Sequence, residues 1–138
     1  MRFLLDTSIV SAALWKLPDP RVLARLLEHG SECAVAAPVW HELQFGCRRL
    51  PRGKRRRAIE SYLEDVVRAT MPILGYDERA ASWHALERVR LTTTGKIPPF
   101  VDGQIAAIAA VNELALVTLN LKDFRTFKGL DLVDWTKA

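Results

Sequence analysis

The chain has 138 residues, 49% of them hydrophobic and 26% charged, with 20 Lys and Arg against 16 Asp and Glu for a formal net charge of +4. That balance excludes a disordered or membrane-embedded chain, and the length suits one domain over residues 1–138, burying roughly two-thirds of its unfolded surface without staples. The charge is local: seven cations and no acid lie between Arg48 and Arg57, leaving 13 cations against 16 acids on the other 128 residues. A mildly acidic body with one basic segment points to contact with a polyanion or an acidic partner at one place.

The opening Met1-Arg2-Phe3-Leu4-Leu5-Asp6 turns acidic after three apolar residues, too short for a signal-peptide core, and no apolar run reaches the ~18 residues of a membrane span. A cytoplasmic location, away from membranes, is the expectation. Cys33 and Cys47 lack C-x-x-C spacing, which excludes a disulfide scaffold.

In chain order, Arg2 to Leu5 reads as a short strand running into Asp6-Thr7-Ser8, and Ile9 to Leu14 as a helix. Asp19-Pro20 opens a second helix with Asp as cap and Pro at the first position; Val22, Leu23, Leu26 and Leu27 form its stripe, and Gly30 is expected to stop it in a left-handed conformation. Cys33 to Ala37 reads as a buried strand, and Pro38 starts the helix carrying Trp40, His41, Glu42 and Phe45. Beyond the basic segment, Ile59, Tyr62, Leu63, Val66 and Val67 repeat on one helical face. Asp77 caps a helix from Glu78 to about Val89, Thr92 to Pro99 is a loop, and Val101 to Glu113 is a helix apolar nearly all round, hence buried. Leu114 to Thr118 reads as a third apolar strand with Asn120 to Asp123 at its exit, and Leu132 to Val133 as an edge strand. Apolar strands alternating with helices predict an α/β fold, a three-layer sandwich with a mostly parallel central sheet.

In open α/β sheets ligands bind beyond the carboxyl ends of the strands. Asp6 follows the first strand, Thr118, Asn120 and Asp123 follow the third, Glu42 lies about one turn into the helix after the second, and Asp102 opens the buried helix. Each has an ordinary role available: a helix cap for Asp102 and Asp123, a turn for Asp6, a solvated surface for Glu42. Together they describe four acids converging on one crevice. Converging carboxylates repel, and the natural filler is a hard divalent cation, Mg²⁺ or Mn²⁺, able to activate water and stabilise phosphoryl charge.

Leu4-Leu5-Asp6-Thr7-Ser8, Pro38-x-x-x-Glu42, Pro99-Phe100-Val101-Asp102-Gly103-Gln104-Ile105-Ala106-Ala107 and Leu116-Val117-Thr118-Leu119-Asn120-Leu121-Lys122-Asp123-Phe124 resemble the signatures of PIN-domain nucleases, and among them the VapC-like toxins. The resemblance spans nearly the whole chain, and the last two stretches are its specific ones. It implies that Asp6, Glu42, Asp102 and Asp123 are an acidic quartet, with Thr7 and Thr118 as nearby hydroxyls and Asn120 supporting or replacing the fourth acid. It further implies Mg²⁺- or Mn²⁺-dependent cleavage of RNA, and a homodimer held inactive by a small antitoxin. In the mechanism expected on that basis, Asp6 and Asp102 hold the principal metal while Glu42 and Asp123 hold a second ion or orient the attacking water. The alternative is a catalytically silent PIN-like module that binds RNA or protein.

In the basic segment, Arg52, Lys54, Arg55 and Arg56 are expected RNA or antitoxin contacts. A helix starting near Arg52 would set Arg52, Arg55 and Arg56 in line with Ile59, cations opposing its dipole and calling for an anion. A solvated arginine-rich turn is the other reading. His41 beside Glu42 makes no H-E-x-x-H zinc site, which would need a second His where Phe45 stands. A phosphoacceptor domain would need an acidic pair where Asp6 is followed by Thr7 and Ser8. Trp15, Trp40, Trp83 and Trp135 are too scattered for a base-stacking platform and are expected in core or dimer contacts.

Overall fold

The apolar tripeptides foreseen as strands form the middle of the molecule, in a computed structural model that describes residues 1–14 and 18–137; Trp15 lies outside the described residues. In chain order the elements are β1 (Phe3–Leu5), α1 (Thr7–Val10), α2 (Pro20–His29), β2 (Cys33–Ala36), α3 (Ala37–Arg48), α4 (Lys54–Tyr62), β3 (Ile73–Leu74), α5 (Glu78–Thr93), α6 (Phe100–Val111), β4 (Ala115–Val117), α7 (Leu121–Phe124) and β5 (Leu132–Val133). Short 3₁₀ turns follow α1 and α2, and a π-helical stretch, Leu63–Arg68, continues α4.

The five strands run in the order β3-β2-β1-β4-β5, and every pairing is parallel. Leu5 stands beside Val35 on one side and Val117 on the other, so β1 is central. Successive strand residues point to opposite faces, and Phe3, Leu4 and Leu5 are all buried, as are all four residues of β2. Both faces of the sheet are therefore covered by helices, the three-layer arrangement that parallel sheets require. From β1 the chain builds outward through β2 and β3, then returns to the opposite side of β1 with β4 and β5. The direction of growth reverses between β1 and β4, the switch point where α/β sheets open a crevice.

Several local expectations are corrected. Gly30 does not stop α2 in a left-handed conformation: its φ is −51° and ψ −38°, and the chain tightens into a 3₁₀ turn, Gly30–Glu32, before β2. Among the described residues positive φ occurs at Gly95 and Gly129, both 75°, and at Glu113, φ 55°, just past α6, which ends two residues earlier than expected. β3 went unforeseen because two half-buried residues carry no periodicity; Val35 pairs its N–H with the Pro72 carbonyl at 2.9 Å to start it. The stripe beyond the basic segment keeps Leu63 and Val67 inside but leaves Val66 exposed. The π turn shifts the helical phase there, swinging Val66 away from the face that an unbroken α-helix would present.

α6 packs on α5 through an unusually close approach. An added Cβ at Gly103 would lie 2.1 Å from His84 Nε2, so only glycine admits that ring. His84 is buried, its Nδ1 shares a 2.8 Å hydrogen bond with the Tyr76 hydroxyl, and its ring packs against Phe100 with centroids 4.8 Å apart. Burial, and secondarily the Arg88 charge, hold its pKa below the ordinary value. This seam fixes the first turn of α6. Gly103→Ala is expected to destabilise the fold by about 1–3 kcal/mol in urea unfolding, and His84→Ala added to it should recover part of the loss, because the clash goes with the ring.

Candidate active site

Asp6 leaves the sheet at the carboxyl end of β1, where its N–H still donates to the Val117 carbonyl at 3.0 Å, extending the β1–β4 ladder by one bond. It is also the N-cap of α1, its carbonyl accepting from Ile9 and Val10 at 3.0 and 3.2 Å. The residue is 7% exposed, and both of its carboxylate oxygens are hydrogen-bonded. Oδ1 accepts from the Thr7 N–H at 2.7 Å, and Oδ2 from the Thr118 hydroxyl at 2.8 Å and the Ser8 hydroxyl at 3.3 Å. Thr118 is wholly buried, and its oxygen in turn accepts the Asn120 N–H at 2.9 Å. Ser8 likewise accepts the Leu119 N–H at 3.2 Å. Two hydroxyls thus lock the turn after β1 to the turn after β4.

Glu42, exposed on α3, accepts from the Thr7 hydroxyl at 3.0 Å, which ties the third segment to the same edge. Asp102 sits in the first turn of α6, whose N-cap is Pro99 with no side-chain bond, so the capping role available to Asp102 in sequence is not the one it plays. Its pKa is raised to about 6 by burial first, then by the charges of Asp6, Asp123 and Glu42. Asp102 is therefore within electrostatic reach of the other three acids at the switch-point crevice.

Asp123 lies exposed in α7, which starts after Asn120; Asn120 contributes its backbone there, and its side chain makes no capping bond. The segment after α7 is anchored by a partly buried ion pair. Arg90 grips Glu87 with two 2.8 Å bonds and reaches the Thr126 carbonyl at 2.7 Å, while Glu87 accepts the Lys128 N–H at 2.7 Å. The Arg90 bonds hold the Glu87 carboxyl below its usual range.

The basic segment forms a separate feature. α4 begins at Lys54, not near Arg52; Gly53 provides no side-chain cap, and the first turn carries no acid. Arg56 is half-buried and paired to Glu60 at 2.8 Å. Arg48, Arg52, Arg56, Arg57 and Glu60 line a cleft of about 390 Å³ that includes none of the four acids. Sequence reasoning missed Ser8 as a partner of Asp6, the Glu87–Arg90 anchor and the His84–Gly103 seam. Ser8 alone had a signal, its place in the strand-exit turn.

The sequence pattern of the PIN domain matches residues 3–130. The chain belongs to the PIN domain family. Among relatives, a VapC ribonuclease, Y4jK, of Sinorhizobium fredii is 33% identical over 97% of this chain and 98% of its own. The crystal structure of FitAcB from Neisseria gonorrhoeae superposes with a TM-score of 0.90 at 29% identity, covering 99% of both chains. VapBC-5 from Mycobacterium tuberculosis, a member of the VapBC family of toxin–antitoxin systems, gives 0.68 at 27% identity over 96% of both. No helix of the described residues is long and apolar enough to cross a membrane.

The donor set of this PIN domain, carboxylates with hydroxyls behind them, suits a hard cation and offers no soft ligand. Among the described residues no three Asp, Glu, His or Cys side chains stand close enough for a ready-built cage. Without a cation, Asp102 ionises near pH 6 in the fold and near 3.8 in the unfolded chain, so the folded state binds the extra proton between those values. Its contribution to stability is whole below about pH 4 and is lost as pH rises through 6. In EDTA, Asp102→Asn is therefore expected to gain on the order of 2 kcal/mol over the parent at pH 8 and little at pH 4, read from urea unfolding at both.

Proposed function

We propose that this PIN domain is a divalent-cation-dependent endoribonuclease, using Mg²⁺ or Mn²⁺ to hydrolyse RNA phosphodiester bonds, and the toxin half of a toxin–antitoxin pair. The observation that carries the reading is Asp102, pressed toward neutrality first by burial and then by the charges of Asp6, Asp123 and Glu42 at the switch point. Such a cluster is stabilised by positive charge and, without it, repels the phosphate it would have to accept. The full-length likeness to a VapC ribonuclease supports RNA as the substrate.

When bound, Mg²⁺ or Mn²⁺ would supply a more acidic water and neutralise charge on the phosphoryl oxygens. Asp6 and Asp102 would hold the principal ion. Thr118 and Ser8 keep the Asp6 carboxylate from turning, which fixes the direction it offers. Glu42, steered by Thr7, and Asp123 would hold a second ion or orient the attacking water. In-line attack then leaves a 5′-phosphate and a 3′-hydroxyl. The presence of all four acids supports hydrolysis over a catalytically silent binding module.

The likeness to a VapBC toxin–antitoxin member supports a small antitoxin as partner. A homodimer acting in the cytoplasm belongs to the same proposal. In this reading Arg52, Lys54 and Arg55, which lie at the uncapped start of α4, meet RNA phosphate or the acidic part of the antitoxin. Asp6→Asn and Asp102→Asn are each expected to slow Mg²⁺-dependent cleavage of an RNA substrate by more than about 100-fold, with EDTA abolishing it in the parent. Variants that cleave as fast as the parent at matched Mg²⁺ would sink this mechanism.

A further inference from the structure

Next to the acids the chain carries an exposed surface that their chemistry does not use. The loop between α5 and α6 separates two hollows, and Ile97, Pro98 and Pro99 line both. On one side is a hollow of about 100 Å³ walled by Arg88, Phe100, His84 and Phe127. On the other is a hollow of about 210 Å³ walled by Lys96, Asp123 and Thr126. The ridge between them is stiff, since each proline fixes its own φ.

Phe100 stays 50% exposed and Ile97 66% exposed, although Phe100 is two residues from Asp102 on the same turn of α6. The Arg88 guanidinium lies over the Phe100 ring, 5.2 Å from its centroid, and His84 packs against that ring. The ring is held in place while half of its surface remains open. An aromatic face and a guanidinium plane are the surfaces on which unpaired bases stack. Across the ridge, Lys96 shares a hollow with Asp123, one of the acids. A cation and a stacking surface on either side of one ridge offer partners for the phosphate and the base of a nucleotide. A protein partner would use the apolar groups but has no need of Lys96 beside Asp123.

We propose that these hollows form a subsite for one unpaired nucleotide adjoining the scissile bond, its base on Phe100 and Arg88 and its phosphate on Lys96. The subsite rests on the ribonuclease reading above and deepens it, making Phe100 and Lys96 determinants of where a single strand is gripped.

The test uses the whole chain with a labelled single-stranded RNA in Mg²⁺, reading Kd by fluorescence anisotropy and cleavage on the same oligonucleotide, with one nucleotide at a time made abasic. Phe100→Ala is expected to weaken Kd and raise KM about tenfold with kcat little changed, and Phe100→Tyr to restore both. At one position beside the cut, the abasic change costs the parent a similar factor and costs Phe100→Ala nothing more. Lys96→Ala should flatten the logarithmic salt dependence of binding by about 0.7. Additive losses at every position, or a normal Kd in Phe100→Ala with parental thermal stability, overturn the subsite while leaving the ribonuclease standing. A shift of Phe100→Ala in sedimentation with unchanged Kd overturns it in favour of a protein contact. An intact cycle in Kd without cleavage overturns the ribonuclease reading instead, and no binding at all overturns both.

Discussion

The bond between the Thr118 hydroxyl and Asp6 Oδ2, 2.8 Å long and out of reach of water, joins the ends of two parallel strands that are 112 residues apart in sequence. It exists because β4 pairs with β1 in a register that sets Leu5 beside Val117, so the next residue of each strand emerges on the same edge. A buried carboxylate is costly unless its oxygens are satisfied. Thr7, Ser8 and Thr118 satisfy them, and in doing so fix the one acid around which the others gather.

The remaining acids are delivered by three different helices, two of them anchored away from the crevice. α6 is set by the fit of His84 against Gly103, the segment after α7 by the Glu87–Arg90 pair, and Glu42 by the Thr7 hydroxyl. The first of these contacts is uncharged and the second an ion pair, so neither adds net charge, and the cation that shares a hollow with one of the acids is Lys96, beside Asp123. The arginine-rich segment, which dominates the net charge, has its own cleft and a partial neutraliser in Glu60. With most of the basic segment in a cleft of its own, Asp102 is held above the ordinary carboxylate range by burial and by its acidic neighbours, and a bound cation would relieve that.

Much of this was legible along the chain. Asp6 and Thr118 could be placed at strand exits because apolar tripeptides ending in a polar residue mark the carboxyl edge of a buried sheet, and Asp102 because it opens an apolar helix. Ile73 and Leu74 were not legible as a strand, since two residues next to Pro72 have no pattern until Val35 pairs with them. The orientation of Val66 depended on a π turn, which leaves no mark in a hydrophobic stripe. Gly30 shows the same limit: glycine permits a left-handed conformation without requiring it, and the 3₁₀ turn into β2 did not use it.

The sequence by itself determined the alternation of strands and helices, the parallel sheet and the placing of Asp6 and Thr118 at strand exits, because burial periodicity and strand-end polarity are local properties. Only the tertiary structure decided which groups act on which. That Asp102 feels Asp6, Asp123 and Glu42, that Ser8 serves Asp6, and that Phe100 stays open beneath Arg88 all depend on distances between segments remote in sequence. Electrostatic repulsion and hydrogen bonding act through space, over a few ångströms, and no pattern along the chain records them.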